Sequence, residues 1–158
     1  EIAVAIAIDA APAPPPVAGD AWMVTTTPAG ARVFLDGAEQ GKTPLTMPAS
    51  SDRHTLALVL PGFELHVEEL SGAGEKAITL REVTPTDGRG GIKVRCKAED
   101  RYYVYVDGKP SGMLCPTERI GVELGDHVVE IYDLVSESRK QFPIKVEDTA
   151  RSTRVRVD

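Results

Sequence analysis

The chain repeats itself. Residues 31–45, A-R-V-F-L-D-G-A-E-Q-G-K-T-P-L, are answered by residues 102–117, Y-Y-V-Y-V-D-G-K-P-S-G-M-L-C-P-T. In each copy alternating apolar residues run into Asp-Gly, a further Gly follows, and a Pro comes after Thr43 or Cys115. Val33 and Val104 are 71 positions apart, as are Asp36 and Asp107; the offset becomes 72 between Pro44 and Pro116, and 73 between His54 and His127. A repeat of this length is a small domain duplicated, because solenoid units are shorter. Two domains of this size each bury only roughly 60% of their unfolded surface, so each is expected to carry a staple or lean on a neighbour.

Local pattern points to an all-β chain: two tandem small antiparallel β-sandwich domains. Trp22, Val24 and Thr26 alternate before a Pro28-Ala29-Gly30 turn, and Ala31, Val33 and Leu35 alternate into Asp36-Gly37. Asp-Gly tolerates the positive φ angles of a tight hairpin turn, so Asp36, Gly37, Asp107 and Gly108 read as turn formers. Residues 54–60 have the apolar density of a central strand, and short alternating runs separated by turn signals continue to the end of the chain. No stretch has capped helical periodicity. The expected boundaries are a short apolar segment and Pro-rich linker at 1–21, a first sandwich at 22–83, a Gly-rich linker at 84–90 and a second sandwich at 91–158.

Charge excludes some functions. The net charge is −6, and no block of like charge marks a nucleic-acid or anionic-membrane footprint. No apolar run reaches the roughly 18–20 residues needed to span a bilayer, so no membrane insertion is expected within these residues. Residues 2–8 are apolar at every position but too short to span, and could be a strand or a helix fragment. The chain begins at Glu1 rather than Met, which suggests a fragment or processed product of a larger, anchored protein.

The residues T-x-P-A-G-A-x-V-x-L-D-G at 26–37, G-x-T-P-L at 41–45 and H-T-L-A-L-V-L-P-G-F at 54–63 together resemble the PEGA domain, named for the tetrapeptide that here reads Pro28-Ala29-Gly30-Ala31. The second copy keeps V-Y-V-D-G, the later Gly, the Pro and Gly125-x-His127, but has other residues at 98–101 and lacks the closing Gly-aromatic. The resemblance implies a small β-sandwich without catalytic machinery or cofactor. It further implies an extracytoplasmic setting, in the periplasm or at the cell surface, as in bacterial surface proteins, lipoproteins and receptor-type Ser/Thr kinases.

The resemblance also gives the cysteines a meaning. Cys96 and Cys115 stand where the first copy has the family hydroxyls Thr26 and Thr43. If these positions face each other in both copies, Thr26 and Thr43 form a hydrogen-bonded pair, and Cys96 and Cys115 form a disulfide that implies an oxidising compartment. The alternative is two reduced cysteines packed as small apolar groups. Neither CxxC nor clustered His accompanies them, so no metal site is expected.

Other residues carry weaker signals. His54 and His127 open equivalent strands and read as a shared structural feature. No nucleophile elbow or oxyanion-type Gly motif appears, so the chain is expected not to be an enzyme. With Val33 and Leu35 inward, Arg32 and Phe34 face outward, as do Tyr103 and Tyr105. This aromatic face is a candidate contact surface for sugar, peptide or the other unit. Lys93, Arg95 and Lys97 share a strand face, and join Arg154 and Arg156 in a basic stripe if the first and last strands of the unit pair; a solvated face laced with acids is the plainer reading. The function expected is a non-catalytic binding or spacer module contacting cell-envelope polysaccharide, peptidoglycan or another protein. The alternative is an assembly module whose residues 2–8 add a strand to a neighbour's sheet.

Overall fold

The computed structural model describes residues 21–158; the apolar segment at 2–8 and the Pro-rich stretch at 9–20 lie outside the described residues. Fourteen strands and no helix make up the described chain. The first seven are β1 (Ala21–Thr27), β2 (Arg32–Leu35), β3 (Ala38–Lys42), β4 (Leu45–Pro48), β5 (Ser50–Val59), β6 (His66–Gly72) and β7 (Gly74–Thr79). The second seven are β8 (Gly90–Cys96), β9 (Tyr102–Val106), β10 (Lys109–Leu114), β11 (Ile120–Val122), β12 (Gly125–Asp133), β13 (Arg139–Val146) and β14 (Thr153–Val157).

Each set of seven makes two sheets with the same strand order. The first unit has β4-β1-β7 against β3-β2-β5-β6, and the second has β11-β8-β14 against β10-β9-β12-β13. The all-β, two-sandwich expectation holds, with one difference in strand sense. The first and last strands of each unit, β1 with β7 and β8 with β14, pair in parallel. Parallel neighbours cannot be joined by a hairpin and need a long crossover; here the other strands of the unit supply it. The strand limits also differ slightly from expectation: Ala21 and Gly90 both lie inside strands.

The two cores follow from alternation. Trp22, Val24, Val33, Leu56 and Leu58 fill the first, and Ile92, Val94, Val104, Val129, Ile131 and Val155 the second. The Asp-Gly turns are superimposable in dihedral terms: Asp36 and Asp107 have φ of 51° and 52°, and Gly37 and Gly108 have φ of 84° and 78°. Two consecutive positive φ values match the twist of the flanking strands.

The lengthening of the repeat has a structural cause. In the first unit Val33 pairs with Gly41 and Phe34 with Glu39, so Gln40 is bulged out. In the second, Val104 pairs with Met113 and Tyr105 with Pro110, so both Ser111 and Gly112 are bulged out. One additional bulged residue changes the offset from 71 to 72.

The segment at 84–90 is strapped to the second unit. Thr86 Oγ1 donates to Gly121 O at 2.6 Å, and Arg119 Nη2 donates to the carbonyls of Gly88 and Gly90 at 3.1 and 2.6 Å. A Cβ on Gly88 would lie 2.3 Å from the Val122 carbonyl. Glycine at that position serves close approach of two backbones.

Candidate functional site

Three arrangements carry the residues singled out above, beginning with the paired hydroxyls and the paired cysteines. Thr26 and Thr43 are buried, with their oxygens 2.6 Å apart. Thr26 donates to Pro28 O at 2.7 Å, which leaves the Thr43 hydroxyl to donate to Thr26. Thr43 Oγ1 in turn accepts from the N–H groups of Gly30 and Ala31 at 3.1 and 3.0 Å. The P-A-G-A turn is therefore held by a relay of hydrogen bonds that ends at its own carbonyl. In the second unit Cys96 and Cys115 are joined in a disulfide across 19 positions, with Cα atoms 6.1 Å apart. A bonded sulfur offers neither the hydroxyl donor nor the strong acceptor of Thr43. The second unit keeps only the backbone link: Asp100 N–H donates to Cys115 O at 2.9 Å, as Gly30 N–H does to Thr43 O at 3.0 Å.

The hairpin carboxylates are the second arrangement. His54 Nδ1 meets Asp36 Oδ2 at 2.5 Å, while Thr55 N–H donates to Asp36 Oδ1 at 2.8 Å. His127 Nδ1 meets Asp107 Oδ2 at 2.6 Å, while Val128 N–H donates to Asp107 Oδ1 at 2.9 Å. The hydrogen bond from His54 holds Asp36 below the usual carboxylate range. Burial pushes Asp107 up, but the His127 ring and the Val128 amide outweigh it and hold Asp107 low as well. The hydrogen bond to Asp107 raises His127 above the ordinary imidazole value. Its other nitrogen lies 2.6 Å from the backbone carbonyl of Glu123. One ring nitrogen thus ties the hairpin to the central strand, and the other ties the β11–β12 connection to it. The sequence pointed to the Asp and to the His separately; that they are partners was missed, although the shift of both to the second copy was the available signal.

The third arrangement selects among the alternatives for the aromatic face: its contact is with the other unit. Phe34 and Tyr103 are 4% and 0% exposed. They are covered because the outer faces of the two four-stranded sheets pack on each other. Phe34, Ala57 and Val59 of the first unit form one apolar cluster with Tyr103, Tyr132 and Leu134 of the second, and Tyr105 packs at its margin. Tyr103 Oη donates to Phe63 O at 2.7 Å and accepts from Gly112 N–H at 3.0 Å. Gly62 N–H donates to Gly112 O at 2.7 Å, and Arg32 Nη1 donates to Asp100 O at 2.8 Å, both across the junction. Burial pushes the Tyr103 phenol far above its ordinary value. Arg32, Phe34, Tyr103 and Tyr105 therefore join the two units. Alternation along β2 and β9 correctly put them outside their own sandwich, but alternation carries no information about what lies beyond.

A half-buried polar knot supports the same junction. Arg101 makes two hydrogen bonds of 2.7 Å to Asp133, which also accepts from Val135 N–H and Ser136 Oγ at 2.9 and 2.8 Å. Burial alone would push the Asp133 carboxyl up; the Arg101 guanidinium and the loop donors hold it far below the usual range. This fixes the loop that presents Leu134 and Val135 to the first unit. A Cβ on Gly37 would fall 2.0 Å from the Val135 carbonyl oxygen.

Among the described residues no group of three or more His, Cys, Asp and Glu is placed to hold a metal ion, and no helix is long and apolar enough to cross a membrane. The disulfide fits an extracellular location, since such bonds persist in oxidising compartments. No curated protein and no solved structure matches the chain. The match that is found covers the first sandwich, with its P-A-G-A relay and its Asp-His hairpin: residues 21–83 match the family model of the PEGA domain.

Proposed function

We infer that the chain is a non-catalytic extracytoplasmic module, part of a membrane-anchored protein, in which two sandwiches of one family act as a single rigid spacer facing the cell envelope. The observation that carries this reading is the shared aromatic cluster. A spacer between flexibly linked domains needs no such junction, whereas here Phe34, Tyr103, Tyr132 and Leu134 are almost fully withdrawn from water. The same topology and the same Asp-His hairpin in both halves support a common origin for the second unit, beyond the residues that the family model matches. The strapped segment at 84–90 supports rigidity from the other side of the junction. With the aromatic face consumed, contact with envelope material or another protein falls to the surfaces that remain open.

Backbone amide ¹⁵N relaxation on the full chain tests the reading. Residues of both units are expected to report one rotational correlation time, that of the whole body. Two separate, shorter times would refute the rigid spacer. Tyr103→Ala with Phe34→Ala is expected to move the protein from the first behaviour toward the second while leaving each sandwich folded.

A further inference from the structure

The outer face of the β11-β8-β14 sheet carries a row of cations that the fold alone does not require. Because β14 pairs in parallel with β8, Arg154 stands opposite Lys93 and Arg156 opposite Arg95. Lys97 follows just past the end of β8 and is exposed, as are Arg95, Arg154 and Arg156. Like charges directly opposite one another on neighbouring strands are destabilising. Among the described residues none of the five takes part in an ion pair. The inward neighbours Val94, Val155 and Val157 are buried, so the cations are confined to the outer side.

The first unit provides an internal control. Its β1–β7 pair has the same register, with Met23 opposite Glu75 and Thr25 opposite Ala77, and Thr27 at the position of Lys97. The same sheet is thus built in the same chain from Met, Thr, Thr, Glu and Ala. Five cations replace them in the second unit, within a protein whose net charge is −6. The sandwich has no structural need for the substitution.

We propose that this face binds a linear, phosphate-bearing polyanion lying along β8 and β14. Three features select that class. The cations form two adjacent rows, about 4.8 Å apart with about 6.6 Å between successive outward residues of one strand, so the charged area is a track rather than a plane. On the third strand's side Gly121 lies against the 86–88 segment, and the one cation there, Arg119 over Gly91, is engaged with the carbonyls of Gly88 and Gly90, so the cations without a partner keep to β8 and β14. A flat lipid surface would be met better by charge spread across the sheet. Three of the five cations are arginines, whose planar forks match phosphate oxygens two at a time. No aromatic side chain lies on the track, so it lacks the stacking platform on which bases or sugar rings would sit. The track ends in a shallow depression of about 430 Å³ whose lining includes Arg95, Lys97, Arg154 and Arg156 against one acid, Asp158.

The proposal adds a ligand class to the extracytoplasmic module inferred above. Its test uses a soluble polymer in solution, so it can fail while the rigid-spacer reading stands. Long-chain inorganic polyphosphate is the probe, titrated against the full chain at several salt concentrations. The logarithm of the association constant is expected to fall with the logarithm of salt with a slope near −3.5, about 0.7 for each of five neutralised phosphates. Arg95→Glu with Arg156→Glu is expected to weaken binding by at least about tenfold, and to flatten the slope by about 1.4 as two contacts are lost. Arg53→Glu with Lys109→Glu makes the same change in net charge at exposed positions off the track, and should leave affinity within about twofold. Equal loss in both double variants overturns the proposal, because the effect is then net charge. Retention on vesicles of anionic lipid without binding of soluble polyphosphate also overturns it, in favour of a membrane. Tighter binding of oligo-dT than of polyphosphate overturns it in favour of nucleic acid.

Discussion

Replacing both cysteines by the residues of the first unit, Cys96→Thr with Cys115→Thr, asks whether one unit's solution to holding β8 against the following turn can be exchanged for the other's. The disulfide closes 19 positions, which in the chain-entropy model stabilises by about 3 kcal/mol. A threonine pair would recover part of this. Cys96 Sγ lies 3.4 Å from Ala98 O, so a hydroxyl at position 96 has a carbonyl acceptor within adjustment, and one buried hydrogen bond contributes about 1 kcal/mol net. The second unit has no P-A-G-A amides to complete the relay, so recovery should stop there. The double Thr variant is therefore expected to be about 2 kcal/mol less stable than the oxidised parent, and Cys96→Ala with Cys115→Ala about 3 kcal/mol less stable. For a chain of this size 2 kcal/mol corresponds to about 4–8 °C in Tm. Urea unfolding followed by far-UV circular dichroism measures the whole chain, and fluorescence of Trp22, the sole tryptophan, reads the first unit. Because the units share a buried junction, both probes should shift together. A Thr variant no more stable than the Ala variant would refute the exchange argument. A parent whose midpoint ignores reductant would refute the stabilising role of the bond itself.

Further outcomes follow from the junction and the hairpins. Gly37→Ala and Gly108→Ala alter the same turn position in the two units, and the left-handed backbone costs each about 1–2 kcal/mol. Only Gly37 abuts a neighbour, the Val135 carbonyl, so its variant should lose clearly more stability in denaturant titrations; equal losses would place no contact there. Tyr103→Phe leaves Gly112 N–H without its side-chain partner at the junction and is expected to cost about 1–3 kcal/mol, read as a lower urea midpoint with an unchanged fold by circular dichroism. The His127–Asp107 pair predicts a pH dependence. His127 is raised in the folded protein, so its contribution is complete below about pH 6.5 and is lost as pH rises through the folded value. Asp107 is lowered, so its contribution is present above about pH 3.9 and is lost as pH falls through the folded value. Stability from the pair is thus greatest between these limits, and Asp107→Asn should flatten the decline above pH 6.5 in melting curves.

How far the sequence could be read depends on which interactions are local. The hairpins were legible because Asp-Gly with two positive φ values is a two-residue signal. The disulfide was legible because comparison of the two copies placed Cys96 and Cys115 on positions already occupied by a matched pair. The Asp36–His54 and Asp107–His127 contacts were half legible: each member stood out, but only the antiparallel pairing of the hairpin with the central strand brings them together. The cationic track was readable only on condition that β8 and β14 pair, since its two rows lie about sixty positions apart in the chain. The fate of Phe34 and Tyr103 was legible only as one alternative among several. Alternation tells which residues leave a sandwich's own core, and it says the same of a face open to water and of a face covered by a second sandwich.

The two units meet through the same sheet of each, β3-β2-β5-β6 against β10-β9-β12-β13. Surfaces that meet like to like satisfy each other and close, whereas head-to-tail contacts leave a free end for the next copy. This duplication therefore does not begin a filament. A third sandwich of the same kind would find both aromatic faces occupied, and a chain that grew by further duplication would have to grow in pairs, or bind the next unit by another surface. The extra bulged residue, Gly112, makes the pair directional as well as closed, since only the second unit has the backbone group that reaches Gly62 of the first.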